Sequence, residues 1–176
     1  NLLEKLLATT LAKLSNFIPE GGIWLNTQRP EWNDANNALV GNGVSMVTLY
    51  YLHRFFLLVE ELFQESGLPE ALSVSDEMAV FFHEMHQAFE NNQKLLAGSM
   101  SDQQRKSMLD TLGTAASSYR KKVYREGFNG GKSTINTADL KSFTSLIIKY
   151  LDHSIKANKR QDGIYHAYNL MTVKST

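Results

Sequence analysis

The stretch RPEWNDANN, residues 29–37, stands directly before a long apolar segment that begins at Val44. Pro30 favours extended backbone at the residue before it, and the adjacent Asn36 and Asn37 favour irregular structure. We therefore predict a short polar loop that leads into an apolar helix. A loop of this kind on a rigid helix is a common way to build a site for a polar ligand. The alternative is a helix-entry loop whose polar side chains only cap backbone groups.

The apolar segment, residues 44–65, has no polar stripe over most of its length. A helix that is apolar on all sides is expected to be buried on all sides. His53 and Arg54 interrupt the segment near its middle, which argues against a membrane span. The segment therefore predicts a helix at the centre of a helical domain.

Helical spacing of apolar residues recurs along the rest of the chain. It predicts a helix over residues 2–18, one that begins after Ser75, one that begins at a Ser101–Gln104 capping box and one that Thr137 caps. Residues 23–25 are a short apolar run that is compatible with extended structure, but no segment shows a convincing strand pattern. We predict an all-α fold of about five helices, in a single helical domain over residues 1–176.

Composition excludes several classes of function. The 176 residues carry a formal net charge of zero, so neither a nucleic acid nor a membrane is an expected partner. The chain has no cysteine, which excludes disulfides and thiolate metal sites and leaves a cytoplasmic and a periplasmic location both open.

The chain also has no signal-peptide-like leader. It opens on Asn1 rather than on Met, and for this reason we expect a fragment of a larger protein.

The motif itself has a counterpart in a known family. Trp32, Asn33 and Asp34, followed after two residues by Asn37, resemble the Asp-Trp-Asn-Asp-Gly-Met-Asn motif of the cellobiose and chitobiose phosphorylases. The resemblance covers residues 28–60 and includes four identities in the seven motif positions. Glu31 stands where that family has its first Asp. Other departures are Ala35-Asn36 for Gly-Met and Val44 for a Glu.

This resemblance implies an (α/α)6-toroid catalytic domain and an inverting phosphorolysis of glycosidic bonds. Asp34 would be the general acid, with Glu31, Trp32, Asn33 and Asn37 in the sugar site. The substrate would be an oligosaccharide, with inorganic phosphate as possible co-substrate and no other cofactor. A toroid of twelve helices is longer than this chain, so we expect a part of the toroid. That part should be inactive alone and should self-associate as a homo-oligomer through exposed apolar surface.

Two further groups of residues are candidates for the same site. Arg29 could bind sugar hydroxyls, or it could satisfy the backbone of its own loop. The segment DGIYHAYN, residues 162–169, is the second dense polar and aromatic stretch. Loops at one end of a toroid form its sugar-binding face, so Tyr165, His166 and Tyr168 are candidate sugar contacts. The alternative is a partly buried C-terminal segment.

Two motif-like stretches do not predict sites. His83-Glu84-Met85-His86 resembles a zinc-protease signature, but its two histidines are three residues apart instead of four, so no metal is expected. The stretch GFNGGKS, residues 127–133, resembles a phosphate-binding loop, but it is one residue short between its glycines and follows a charged helix instead of a strand. We interpret it as a flexible turn between helices.

The sequence leaves three functions open. The first is glycosidic-bond cleavage with Asp34 as general acid, by phosphorolysis or by hydrolysis. The second is a non-catalytic helical scaffold or protein-interaction domain in which the motif match is accidental. The third is a toroid that has lost catalysis. The departures from the family motif at Glu31, Ala35 and Val44 are compatible with such a loss.

Overall fold

The computed structural model describes residues 1–26, 34–64 and 67–172, and it describes residues 34–36 by their backbone alone. The predicted all-α fold is wrong. The described chain is a mixed α/β structure, 62% helical, with six helices and six strands in two antiparallel sheets. A toroid built from helices alone is therefore not the architecture of this chain.

The helices lie close to where the apolar periodicity predicts them, and one additional short helix begins at Asp34, in the last part of the motif. Their bounds are α1 (Leu2–Leu14), α2 (Asp34–Leu39), α3 (Met46–Leu62), α4 (Asp76–Asn91), α5 (Asp102–Lys121) and α6 (Thr137–Ala157). The predicted capping box at the start of α5 is confirmed. Ser101 Oγ accepts a hydrogen bond from Gln104 N at 3.3 Å, and Gln104 Oε1 accepts one from Ser101 N at 2.8 Å.

The strands are β1 (Phe17–Ile18), β2 (Gly22–Trp24), β3 (Gly43–Ser45), β4 (Ala71–Ser75), β5 (Lys132–Asn136) and β6 (Tyr168–Leu170). One sheet has the order β1-β2-β3-β6 and the other pairs β4 with β5. Strands of two to five residues are too short to show a period-two pattern of burial. This is the physical reason why the sequence predicted helices alone.

An aromatic core joins α4 and α6 to the first strand. Phe17, Phe89 and Tyr150 are fully buried, and the rings of Phe89 and Tyr150 meet edge to face with centroids 5.0 Å apart. The Tyr150 hydroxyl donates to the carbonyl oxygen of Phe89 at 2.8 Å, which satisfies the polar end of a buried ring. The first sheet is thereby anchored on the helices.

The apolar helix α3 is not buried on all sides, so that prediction is also wrong. Leu49, Leu52 and Phe56 face the core. On the opposite side Tyr51 is 67% exposed, Leu58 is 52% exposed and Leu62 is 48% exposed. We call these three exposed side chains the α3 apolar face.

Glu20, in the turn between β1 and β2, joins distant parts of the fold. Its backbone lies in the left-handed region with φ 60°, a conformation that costs free energy for a residue with a side chain. Its carboxylate accepts hydrogen bonds from Arg105 and from the backbone N–H of Met100 and lies 3.0 Å from His153 Nε2. Asn158 Nδ2 donates to its carbonyl oxygen at 2.8 Å. These contacts hold the strained turn in place.

Candidate functional site

The motif segment is an excursion between two neighbouring strands. Beyond β2, Leu25 N donates to Gly43 O at 2.9 Å and Gly41 N donates to Leu25 O at 2.6 Å. These two bonds close the base of the excursion. Asp34 is the first residue of α2, which ends at Leu39 just before this base. Of the other predicted site residues, those at 29 and 31–33 (Arg29, Glu31, Trp32 and Asn33) lie outside the described residues.

Asn37 borders a large groove. The groove has a volume of about 1250 Å³ and lies between α1, α5 and the end of β2. Trp24 and the amides of Asn16 and Asn26 form one wall. Asn26 Nδ2 donates to Asn16 Oδ1 at 2.6 Å, and the indole Nε1 of Trp24 donates to Gly41 O at 2.9 Å. This wall therefore combines a fixed aromatic ring with amide groups.

The lining of the groove also includes cationic side chains. Among the described residues that line it, Lys13, Lys106, Arg120 and Lys121 are basic and Asp110 is acidic. Lys106 Nζ and a carboxylate oxygen of Asp110 form an ion pair at 2.5 Å. The described lining therefore has no second acidic residue to balance the positive charges of Lys13, Arg120 and Lys121. These charges favour an anionic ligand.

The structure places the C-terminal polar segment beside the strand that follows the motif. Strand β6 pairs antiparallel with β3, with Tyr168 opposite Ser45 and Asn169 opposite Val44. Met171 N donates to Asn42 O at 2.8 Å. Met171 also lines the groove, whereas the described groove lining does not include the predicted contacts Tyr165, His166 and Tyr168. The segment is thus adjacent to the groove without forming its wall.

Tyr165 and His166 lie against the start of α3 instead. The ring of Tyr165 meets that of Tyr50 edge to face at 6.3 Å, and the Tyr50 hydroxyl donates to the carbonyl oxygen of His166 at 2.9 Å. Burial, with a smaller contribution from Tyr165, raises the pKa of Tyr50 above its usual value. Tyr50 therefore remains a neutral donor at neutral pH. The side chains of Tyr165 and His166 are exposed.

Sequence reasoning missed several of these residues. Trp24 was interpreted only as part of the short apolar run of residues 23–25, and Asn26 was not singled out. Their hydrogen bonds to Gly41 and Asn16 join positions that are apart in the chain. His86 is 8% exposed and its Nε2 lies 3.5 Å from Glu90 Oε1. The spacing of His86 on the buried side of α4, next to Met85 and Phe89, was the available signal.

Neither a metal-binding cluster nor a membrane-spanning helix is found in the described part of the chain. No group of three or more His, Asp or Glu side chains within residues 1–26, 34–64 and 67–172 is arranged to hold a metal ion. In the same ranges, none of the helices combines the length and apolar character that crossing a membrane requires. Compared with protein-family models and with curated proteins, the chain has no match.

Proposed function

We propose that this chain forms part of a carbohydrate-active enzyme that cleaves glycosidic bonds, with Asp34 as general acid. The observation that supports the proposal best is the position of the motif helix. Asn37 of α2 borders a groove whose lining includes an aromatic ring, amides and basic side chains. Aromatic rings and amide groups are suited to sugar rings and hydroxyls.

The charge of the groove favours phosphorolysis over hydrolysis. In phosphorolysis, phosphate attacks the anomeric carbon while the general acid donates its proton to the departing glycosidic oxygen. The basic residues Lys13, Arg120 and Lys121 supply the positive charge that an incoming phosphate needs. Inverting hydrolysis needs a second carboxylate as base, about 6.5–9.5 Å from the acid. Asp110, the acidic residue among the described groove lining, is bound to Lys106.

The test is cleavage of a disaccharide panel by the full-length polypeptide, with and without inorganic phosphate. We expect Asp34→Asn to lower the rate by on the order of a hundredfold, because general acid catalysis contributes about that much. Asp102→Asn is the matched control, since Asp102 is the first residue of α5 as Asp34 is of α2. Full activity of Asp34→Asn would show that the acid is another residue. Cleavage that is independent of phosphate would make the reaction a hydrolysis.

A second candidate, a protein-interaction role, is favoured by the α3 apolar face. Exposed large apolar side chains that lie together on one helix mark an interaction surface. We propose that a second copy of this chain covers the face. Tyr51, Leu58 and Leu62 would be the contacts.

A further inference from the structure

The large groove is elongated along α5. The turn after α1 meets the start of α5, where Glu20 binds Arg105. Burial, with a contribution from the carboxylate of Glu4 at the start of α1, raises the pKa of Tyr119 near the end of α5. The two helices therefore run antiparallel along the groove that both of them line. The lining on α5 includes residues from 106 to 121, a length of about 22 Å along a helix axis.

The motif lies at one end of this groove. Asn16 follows the end of α1, and its carbonyl oxygen accepts a hydrogen bond from Trp24 N at 2.8 Å. The indole of Trp24 in turn donates to Gly41 at the base of the motif excursion. Lys13 is in the last turn of α1. It therefore belongs to the end of the groove at which Asp34 is proposed to act.

The far end of the groove carries positive charge and an exposed aromatic ring. Arg120 and Lys121 are in the last turn of α5, and both are exposed and line the groove. Tyr124 follows in the π-helical turn Lys122–Glu126, is 84% exposed and also lines the groove. Such π-helical turns are rare and occur frequently at functional sites. The ring of Tyr124 is thus open to a ligand beside two cations.

The charges at the far end have no counter-charge in the described chain. Glu126, the acidic residue of this turn, forms an ion pair with Lys122 at 2.5 Å. Neither Arg120 nor Lys121 forms an ion pair with another described residue. A phosphate group carries at most about two negative charges near neutral pH. When it is positioned at the bond that Asp34 would protonate, it leaves Arg120 and Lys121 unbalanced at the other end of the groove.

Small side chains line the groove between its two ends. They are Ala8, Thr9 and Ala12 on α1 and Gly113, Thr114 and Ser117 on α5. A Cβ atom at Gly113 would have no neighbour within 4 Å, so the space over the middle of α5 is open. The groove volume of about 1250 Å³ is larger than the roughly 300–1,000 Å³ of a pocket for one small ligand. The groove therefore has room for a chain of sugar units.

We propose that the substrate is an anionic oligosaccharide that runs along α5. Its cleaved bond lies at the motif end, and a carboxylate on a later sugar unit pairs with Arg120 and Lys121. Guanidinium and carboxylate groups form strong, charge-assisted hydrogen bonds. The ring of that unit stacks on Tyr124. This inference rests on the proposed glycosidic function and adds the charge of its substrate.

The experiment uses two pairs of tetrasaccharides, each with an acidic and a neutral member of the same linkage. One pair is β-1,4-linked glucuronic acid and glucose, and the other is α-1,4-linked galacturonic acid and galactose. Isothermal titration calorimetry of the chain at neutral pH, without phosphate, measures their binding. In at least one pair we expect the acidic member to bind at least about tenfold more tightly, because its hydrogen bonds are charge-assisted. This preference should shrink as salt is added.

Replacing Arg120 and Lys121 together by Gln should abolish the preference for the acidic tetramer. The matched control is the double variant Arg54→Gln and Lys149→Gln, which removes two exposed basic residues from α3 and α6 and should preserve it. Equal binding within both pairs, or a preference that survives without Arg120 and Lys121, would overturn the inference and leave the glycosidic function standing. Binding of neither pair would also overturn it. Cleavage of the disaccharide panel then decides the glycosidic function separately.

A variant in the middle of the groove tests the path of the sugar chain. Gly113→Glu adds a long acidic side chain over α5, and it should fold because Glu has a higher helix propensity than Gly. We expect at least about tenfold weaker binding of the acidic tetramer, because like charges oppose each other at an interface. Ser107→Glu is the matched control, since Ser107 is exposed on the same helix and lies outside the described groove lining. Unchanged binding in a folded Gly113→Glu variant would place the ligand elsewhere and overturn the assignment.

Discussion

The carboxylate of Glu20 and the imidazole of His153 lie 3.0 Å apart although 133 positions separate them in the chain. The same carboxylate binds Arg105 at the start of α5, and the backbone N–H of Glu20 donates to Ser154 Oγ at 3.0 Å. A single residue in a strained turn thus connects the first sheet with α5 and with the end of α6. The strain is compatible with the fold because several long-range contacts fix this turn.

Replacing the Glu20 carboxylate should destabilise the fold. Glu20→Gln keeps the size of the side chain and removes the charge that Arg105 and His153 face. We expect the free energy of unfolding to fall by about 1–3 kcal/mol, because hydrogen bonds to charged groups contribute about that much. Urea unfolding followed by circular dichroism measures the change.

The matched control for this variant is Glu126→Gln. Glu126 also accepts a short hydrogen bond from a basic side chain, Lys122, but this pair is on the surface and close in sequence. Exposed ion pairs contribute little to stability, so we expect no measurable change. Equal effects of the two substitutions would contradict the role assigned to Glu20.

The same carboxylate should make the fold sensitive to acid. Burial by itself would raise the pKa of Glu20, but hydrogen bonds from Arg105, Met100 and His153 outweigh it and hold the pKa below the ordinary value of 4.5. A folded-state pKa below the unfolded value stabilises the fold above that unfolded value, and this contribution is lost as the pH falls through the folded-state pKa.

We therefore expect the stability difference between the wild type and Glu20→Gln to be complete at about pH 5.5 and to shrink toward about pH 3. Urea unfolding of both proteins at a series of pH values measures the difference. A difference that stays constant or grows on acidification would show that the charge of Glu20 does not stabilise the fold.

The sequence predicted the long helices and failed on elements that depend on distant contacts. The capping box at Ser101 and Gln104 is local, so it can be recognised from its spacing. Strand β3 has three residues, and its strand character comes from pairing with β2 and with β6, which lies near the other end of the chain. No local pattern encodes such a pairing.

In the candidate site, too, some features are local in the sequence and others depend on distant contacts. The motif at residues 29–37 is visible as a sequence pattern, and its sugar-binding role remains a prediction. The groove beside Asn37 arises where α1, α5 and β2 meet. The burial of Glu77, whose Oε1 accepts a hydrogen bond from Asn129 N, likewise depends on residues that are apart in the chain.

The α3 apolar face should mediate self-association. Leu58→Lys places a charge at the centre of this face, and we expect it to shift the protein toward monomer, since burying an unpaired ammonium at an interface is costly. Sedimentation velocity over a range of concentrations measures the shift. Phe128→Lys is the control, because Phe128 is similarly exposed, at 56% against 52%, and lies in the loop after α5. A wild type that stays monomeric at high concentration would contradict the interface.

The position of α2 should depend on the absence of a side chain at Gly43. A Cβ atom at this residue would lie 2.4 Å from Leu39 Cβ and 2.7 Å from Leu39 O. Gly43 is paired in β3, so the strain would fall on the end of α2. We expect Gly43→Ala to lower the free energy of unfolding by about 1–3 kcal/mol, as overpacking usually does. Chemical denaturation measures this change.

Gly98→Ala is the control for this substitution, because a Cβ atom at Gly98 would have no neighbour within 4 Å and the backbone there is extended. We expect it to leave stability within about 0.5 kcal/mol of the wild type. If Asp34 is the general acid, Gly43→Ala should also reduce the cleavage rate under conditions where the protein remains folded, because α2 carries Asp34 and small displacements of catalytic groups are costly. A Gly43→Ala variant as stable as the wild type would show that α2 can move away from β3 without cost, and the groove would then have no fixed motif helix at its edge.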